Sequence, residues 1–504
     1  MQLPTGLLTS DEVERSIATA GSPTAAADRW QGSAPAARRT GLEAVDPRWI
    51  GIALVAVALA VYVISNLERT SAGFYNHFVW QAEAFLDGRF AIAFPVSEGP
   101  VTNAHFQDVL PLADEPGRAL IPFPPLPAIL LTPLVALFGL ATNAGLIAAV
   151  LGAVNVGLAW RLSRRLTQRH APAILATLFY AFGTVAWYAA MLGSTWFLAH
   201  VVASLFLFLA LTAAVDAERR RAASPQHDGD EPATLREALR PGADRARRIR
   251  SLFDARQFVA GLLLGTAAMA RLPVIFGAPF FVLVGGGGRL HTRALSAGLG
   301  AIIPIALLFA YNLASTGSPF HPAYDYLYST EFTPQPGGLL AQLMPPLADL
   351  QYRHGEWAIE DPRYIPQNAI IMLGWLPQLN PSCGLSLLDV ECPLLRPDEL
   401  GMSLFLTSPT YLLAFPLIAA ALRRRLVLGA VLAVAAIALI NVMHFSQGWV
   451  QFGYRFSNDF APFALVLVTL TIARYGVRPL TIGLVAASIL VNAWGVYWGV
   501  ALGW

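Results

Sequence analysis

Apolar runs recur along the whole chain, and that recurrence limits the architecture more than any other feature. They fall near residues 49–66, 121–139, 143–160, 171–191, 196–215, 257–271, 273–286, 294–314, 403–421, 426–444, 459–473 and 479–499. A bilayer's hydrocarbon core takes a helix of about 20 residues, and in lipid every backbone polar group must be bonded internally. Such runs therefore predict a bundle of membrane helices. Composition agrees: 55% of residues are hydrophobic and 13% charged, against about 25% charged in soluble domains, and mean hydropathy is +0.53. The net charge of +2 carries no basic footprint for a nucleic-acid partner.

Arginine placement sets the topology. All 34 basic residues are arginine, a usage that fits a GC-rich genome. If every apolar run spans, the arginines of 161–169 and the ten in 217–256 fall outside, against the positive-inside rule. If 121–139 does not span, 26 arginines lie inside and 8 outside. Pro122, Pro124, Pro125, Pro127 and Pro133 also suit an interfacial or re-entrant helix there. The expectation is an all-α polytopic protein of the bacterial plasma membrane with about eleven transmembrane helices and juxtamembrane helices in the first outer loop. Residues 1–47, rich in Ala, Ser, Thr, Pro and charge, read as a disordered cytoplasmic tail. An N-terminal transmembrane module (48–315) carries the outer loop 67–142 and the arginine-rich cytoplasmic loop 217–256. A second large outer loop covers 316–402, and C-terminal helices fill 403–504. The first apolar run lacks a following small-residue cleavage site and is expected to stay as the first span. Cys383 and Cys392, the two cysteines, sit in the second outer loop; an isolated pair on the oxidising side predicts a disulfide.

Ionisable residues crowd the outer rim. Seven acids lie in 67–120 and ten in 316–402. The stretch Y-N-H-F-V-W-Q-A-E-A-F-L-D-G is helical in pattern, placing His77, Trp80, Glu83 and Asp87 on one polar-aromatic face. It reads either as an amphipathic helix with a wet face or as the carrier of a general base, which needs a positioned carboxylate or imidazole. Asp108 follows His105 in H-F-Q-D-V-L, ahead of Asp114, Glu115, Arg118 and the proline-rich helix. Acid and cation beside an apolar groove suit a phosphorylated lipid and an acceptor. Arg271, at the end of an apolar run, is a functional candidate because charge at membrane depth is costly; the simpler reading is a snorkelling arginine. In the second loop Q-Y-R-H-G-E-W offers Arg353 and His354. F-G-Y-R-F-S-N-D places Tyr454, Arg455 and Asp459 where the chain re-enters the membrane. An arginine there suits phosphate; alternatively Arg455 and Asp459 pair at i, i+4. No P-loop, dinucleotide fingerprint, H-E-x-x-H or G-x-S-x-G occurs, which removes support for nucleotide-driven pumping and the common hydrolases.

A family pattern emerges from four features: a first span, a loop helix ending A-E-A-F-L-D-G (Ala82–Gly88), then P-P-L-P (Pro124–Pro127) before an apolar helix, and Arg161–Leu166 after the next span. It resembles the GT-C glycosyltransferases, and more narrowly the bacterial relatives of protein O-mannosyltransferases and lipid A aminoarabinose transferases. R-L-P (271–273), Y-N…G-S-P-F (311–320) and F-G-Y-R-F-x-x-D (452–459) are similar to a further branch of that superfamily, and the resemblance covers most of residues 48–475. It implies inverting transfer of a sugar from a polyprenyl-phosphate donor to a glycan, lipid or protein acceptor of the cell envelope on the outer face. A carboxylate of the first outer loop acts as base or orients the acceptor, and arginines hold the leaving phosphate. The family usually has an acid soon after the first span, where this chain has Asn76 and His77. Asp108 is therefore the first choice of base, then Glu83 or Asp114, with His77 as a substitute. The binding set is Asn76, His105, Arg118, Arg271, Arg353, His354, Tyr454, Arg455 and Asp459. No spacing demands a cofactor, although an acidic pair with a divalent metal ion fits the pattern. The alternatives are a lipid-linked-sugar transporter or flippase, and an inactive GT-C-like scaffold. A transporter more often shows inverted repeats with polar residues near the midplane.

Overall fold

The first helix, α1 (Pro47–Ser65), is apolar on nearly every face. It lies along α4 (Ala144–Leu166), whose start is capped by the Asn143 side chain accepting from Leu146 N at 2.9 Å. The computed structural model describes residues 41–65, 67, 75–95, 108–222, 252–322, 358–446, 448 and 450–504. Most of the expected tail, the middle of the inner loop, and His105, Arg353 and His354 lie outside the described residues.

Between α1 and α4 the chain builds a small layer of its own. Helix α2 (His77–Leu86) and helix α3 (Leu126–Phe138) pack on each other. Strands β1 (Ile92–Ala93), β2 (Leu110–Pro111) and β3 (Arg118–Leu120) form an antiparallel sheet in the order β1-β3-β2. Ile92, Val109, Ala119 and Ile121 close over Trp80 and Ala84 of α2 in a core of their own. That cover removes most of the wet-face reading of α2: His77, Trp80 and Ala84 are buried and Glu83 is half-buried, while Asp87 at the end of the face is exposed. The sheet and α3 supply the apolar partners that the periodicity alone assigned to water.

Helix α3 has thirteen residues, or about 20 Å, short of the roughly 30 Å hydrocarbon core. Its first turn is tied inward by Leu126 N to Met269 O at 3.2 Å, and Ile129, Leu137 and Phe138 are exposed. The prolines that suggested a non-spanning helix therefore coincide with one too short to cross.

The bundle centres on α7 (Thr195–Ala222), apolar on all sides and largely buried. The run at 171–191 is bent into α5 (His170–Phe182) and α6 (Ala186–Leu192), 49° apart. Helices α8 (Ala255–Ala268), α9 (Ala278–Leu283) and α10 (Leu290–Thr316) follow, then α11 (Ile365–Gly374) within the loop 316–402, and after it α12 (Ala414–Ala421), α13 (Arg425–Met443), α14 (Ala461–Tyr475) and α15 (Pro479–Ala501). Among the described residues six helices are long and apolar enough to cross a membrane, or seven if the bent pair is one span. This is a multi-pass membrane protein. Length and composition identify fewer spans than the expected eleven; the other apolar runs fold as shorter helices, including Leu272–Leu283, Pro409–Ala421 and Ala461–Tyr475.

Backbone contact joins α8 to α10. A Cβ built on Gly261 would stand 2.0 Å from Ala297 O, and one on Gly300 2.1 Å from Phe258 O. Without a hydrophobic drive between helices in lipid, such small residues allow the close approach that gives association its van der Waals energy. Cys383 and Cys392 are disulfide-bonded, with Cα atoms 5.0 Å apart.

Candidate active site

The start of α7 joins the first outer loop to the bundle. Thr195 Oγ1 lies 2.8 Å from His77 Nδ1, accepts from His77 N at 3.2 Å, and donates to Tyr75 O. Tyr75, His77, Phe123 and Trp196 pack ring against ring around this knot. His77 is fully buried there, so its ring positions the loop. Asn76 immediately precedes α2 and is buried beside it.

Trp196 carries Asp108. The indole Nε1 donates to Asp108 Oδ2 at 2.8 Å. Asp108 has φ +57°, a left-handed conformation that aspartate tolerates better than most residues and that concentrates at functional sites. Burial pushes its carboxyl above the ordinary aspartate value; the Trp196 N–H and the nearby charges of Arg455 and His444 pull the other way. Asp108 thus sits within the field of a cation from the opposite end of the chain.

Arg455 begins the 3-10 turn Arg455–Asp459. Its guanidinium stands 5.8 Å from the Trp196 ring, 5.7 Å from Phe197 and 5.3 Å from Phe456. Arg271 stands over the same Phe456 ring at 5.1 Å. Two guanidiniums therefore share one aromatic plate, and the indole under one of them binds the carboxylate. Like charges so placed suit an anion with several oxygens, since guanidinium forks match phosphate geometry.

Asp459 anchors the second cation. Its oxygens accept from Arg271 Nε at 3.2 Å and Nη2 at 2.9 Å, lie 2.8 Å from His200 Nδ1, and accept from Asn441 Nδ2 at 3.3 Å. Asp459 is fully buried, whereas Arg271 keeps 20% of its side chain exposed. Arg271 is therefore a paired arginine rather than a snorkelling one. Asp459 engages it across 188 residues, whereas the sequence suggested a bond to Arg455. In a 3-10 turn i and i+3 eclipse, not i and i+4, which removes the helical argument for that local pair. Tyr454 is buried against Phe456.

The remaining candidates scatter. Glu83 is half-buried on α2, Asp114 is exposed in the β2–β3 turn, and Arg118 is half-buried on β3. Sequence reasoning missed Thr195, Trp196, His200 and His444. His200 and His444 had a usable signal, a lone imidazole inside or at the end of an apolar run; Thr195 and Trp196 had none. Among the described residues no three His, Cys, Asp or Glu side chains gather to hold a metal ion.

No protein-family model matches the chain, and no curated protein matches it. Among solved structures it is similar to the oligosaccharyltransferase of Archaeoglobus fulgidus. Against the apo crystal structure identity is 14% and the TM-score 0.41, over 89% of this chain and 55% of that one. Against the structure tethered to an acceptor peptide containing the NVT sequon, identity is 13% and the TM-score 0.45, over 90% and 56%. The chain spans little more than half the length of that archaeal protein.

Proposed function

We propose that this protein is a GT-C-type membrane glycosyltransferase that moves a sugar from a polyprenyl-phosphate carrier to an acceptor of the cell envelope on the outer face, with inversion. One observation carries the reading: Arg271 and Arg455 share the Phe456 ring while Trp196, under Arg455, binds Asp108. Of the motifs that resemble the GT-C superfamily, R-L-P (271–273) and F-G-Y-R-F-x-x-D (452–459) carry Arg271, Arg455 and Phe456.

In this mechanism the two guanidiniums hold the donor phosphate, and α3 lies beside them as an apolar surface for the carrier chain. Asp108 takes the proton of the acceptor hydroxyl as its oxygen attacks the anomeric carbon. The bond from that carbon to the phosphate oxygen breaks, and the polyprenyl phosphate leaves with its added negative charge on the arginines. General-base help of this kind contributes about 10²–10⁴-fold, and cations aimed at developing charge give further stabilisation.

The test is the purified protein in liposomes with polyprenyl-phosphate sugars labelled in the sugar. The expected outcome is label transferred to an envelope acceptor, with inverted anomeric configuration and stoichiometric release of polyprenyl phosphate. Label that crosses the bilayer still attached to its lipid would establish the flippase instead.

A further inference from the structure

The second outer loop carries an apolar surface that the proposed site does not use. Strands β4 (Gln378–Leu379) and β5 (Leu395–Arg396) pair antiparallel, and between them the disulfide closes the ring C-G-L-S-L-L-D-V-E-C. Leu385 is 87% exposed and Leu388 55%, and outside the ring Leu376 is 65% and Leu379 61% exposed. A monomeric soluble surface rarely gathers so many large apolar side chains without a partner.

The ring's attachment fixes its depth. Trp494 Nε1 and Trp498 Nε1 both donate to Leu387 O, at 3.1 and 3.2 Å, and Tyr497 OH donates to Leu388 O. All three donors stand near the end of α15, a candidate span that starts at Pro479 just after Arg474 and Arg478. Arginines mark that start as cytoplasmic. At 1.5 Å per residue, Trp494 lies about 22 Å and Trp498 about 28 Å along the helix, against a hydrocarbon core of about 30 Å. Trp and Tyr concentrate at such a boundary. Asp389 Oδ1 accepts from Glu391 N and Cys392 N, which turns the acidic half of the ring back toward the disulfide.

We propose that the Cys383–Cys392 ring is a membrane-inserting element: Leu385 and Leu388 enter the acyl chains of the outer leaflet beside α15, Asp389 and Glu391 stay at headgroup level, and the partner is lipid. The disulfide holds the leucines at that depth. The proposal uses the outward orientation of α15 and is independent of any sugar chemistry.

The test places a clickable phenylalanine at position 385 or 391 of the full chain, couples it to an environment-sensitive fluorophore, and reads it in phosphatidylethanolamine/phosphatidylglycerol nanodiscs. The label at 385 is expected to emit to the blue, to be quenched by doxyl lipid and to be shielded several-fold from iodide; the label at 391 is expected to show the reverse. Equal iodide quenching at both positions, with no doxyl effect, would overturn the proposal. A label at 385 shielded from both quenchers would also overturn it, in favour of a protein partner or a second copy. In the Cys383→Ser, Cys392→Ser double variant iodide access at 385 should rise several-fold, and an unchanged depth would contradict the role given to the disulfide.

Discussion

A carboxylate as buried as that of Asp459 persists because Arg271, His200 and Asn441 surround it. Removing one partner of such a pair costs about 3–5 kcal/mol, so Asp459→Ala should unfold at clearly lower denaturant, and Arg271→Ala by a similar margin. Equal stability of either variant and the parent would show the pair to be dispensable. Asp108 makes the sharper pH prediction. Burial holds its carboxyl above the ordinary value of about 3.9, so turnover that needs the carboxylate falls as pH drops through a value above that. The Trp196 N–H stabilises the charged form. Trp196→Phe therefore moves the acid limb of the kcat/KM profile to higher pH, and an unmoved limb would remove Asp108 from the titration. At Arg455 a lysine keeps charge but loses the fork. Charged hydrogen bonds are worth roughly 1.5–3 kcal/mol, so Arg455→Lys should raise the donor KM by about 10–100-fold, read from steady-state kinetics. Arg271, Arg455 and Asp459 were all legible as charges beside apolar runs. Their partners were not, because no local pattern encodes a contact between residues 188 apart.

At the scale of elements, prolines and glycines were the most informative residues. The proline cluster marked α3 as a helix that does not cross, and its thirteen residues agree. The G-x-x-x-G of α8 was not recognised as an interface, although it sets how closely α8 and α10 approach. Gly261→Val should force those backbones apart and lower the unfolding midpoint strongly, whereas Gly298→Ala, on a glycine of α10 with open space around it, should be nearly neutral; equal effects would contradict the packing argument. The periodicity of α2 was read correctly as a helix, but its environment was misjudged. A polar-aromatic face looks the same in sequence whether it meets water or a second small core, and here the sheet β1-β3-β2 and α3 cover it.

At the scale of the whole molecule, the arginine distribution predicted which loops share a face, and the structure brings residues of the first outer loop, the start of α7, the end of α8 and the approach to α14 to one place. The proposed chemistry depends on that convergence. It is tested most directly by measuring donor binding and sugar transfer side by side for Asp108→Asn and Arg455→Gln. Asp108→Asn is expected to bind the polyprenyl-phosphate sugar like the parent while losing at least about 10²-fold in turnover, and Arg455→Gln is expected to lose donor affinity itself. Turnover retained in both variants, with unchanged donor binding, would contradict it.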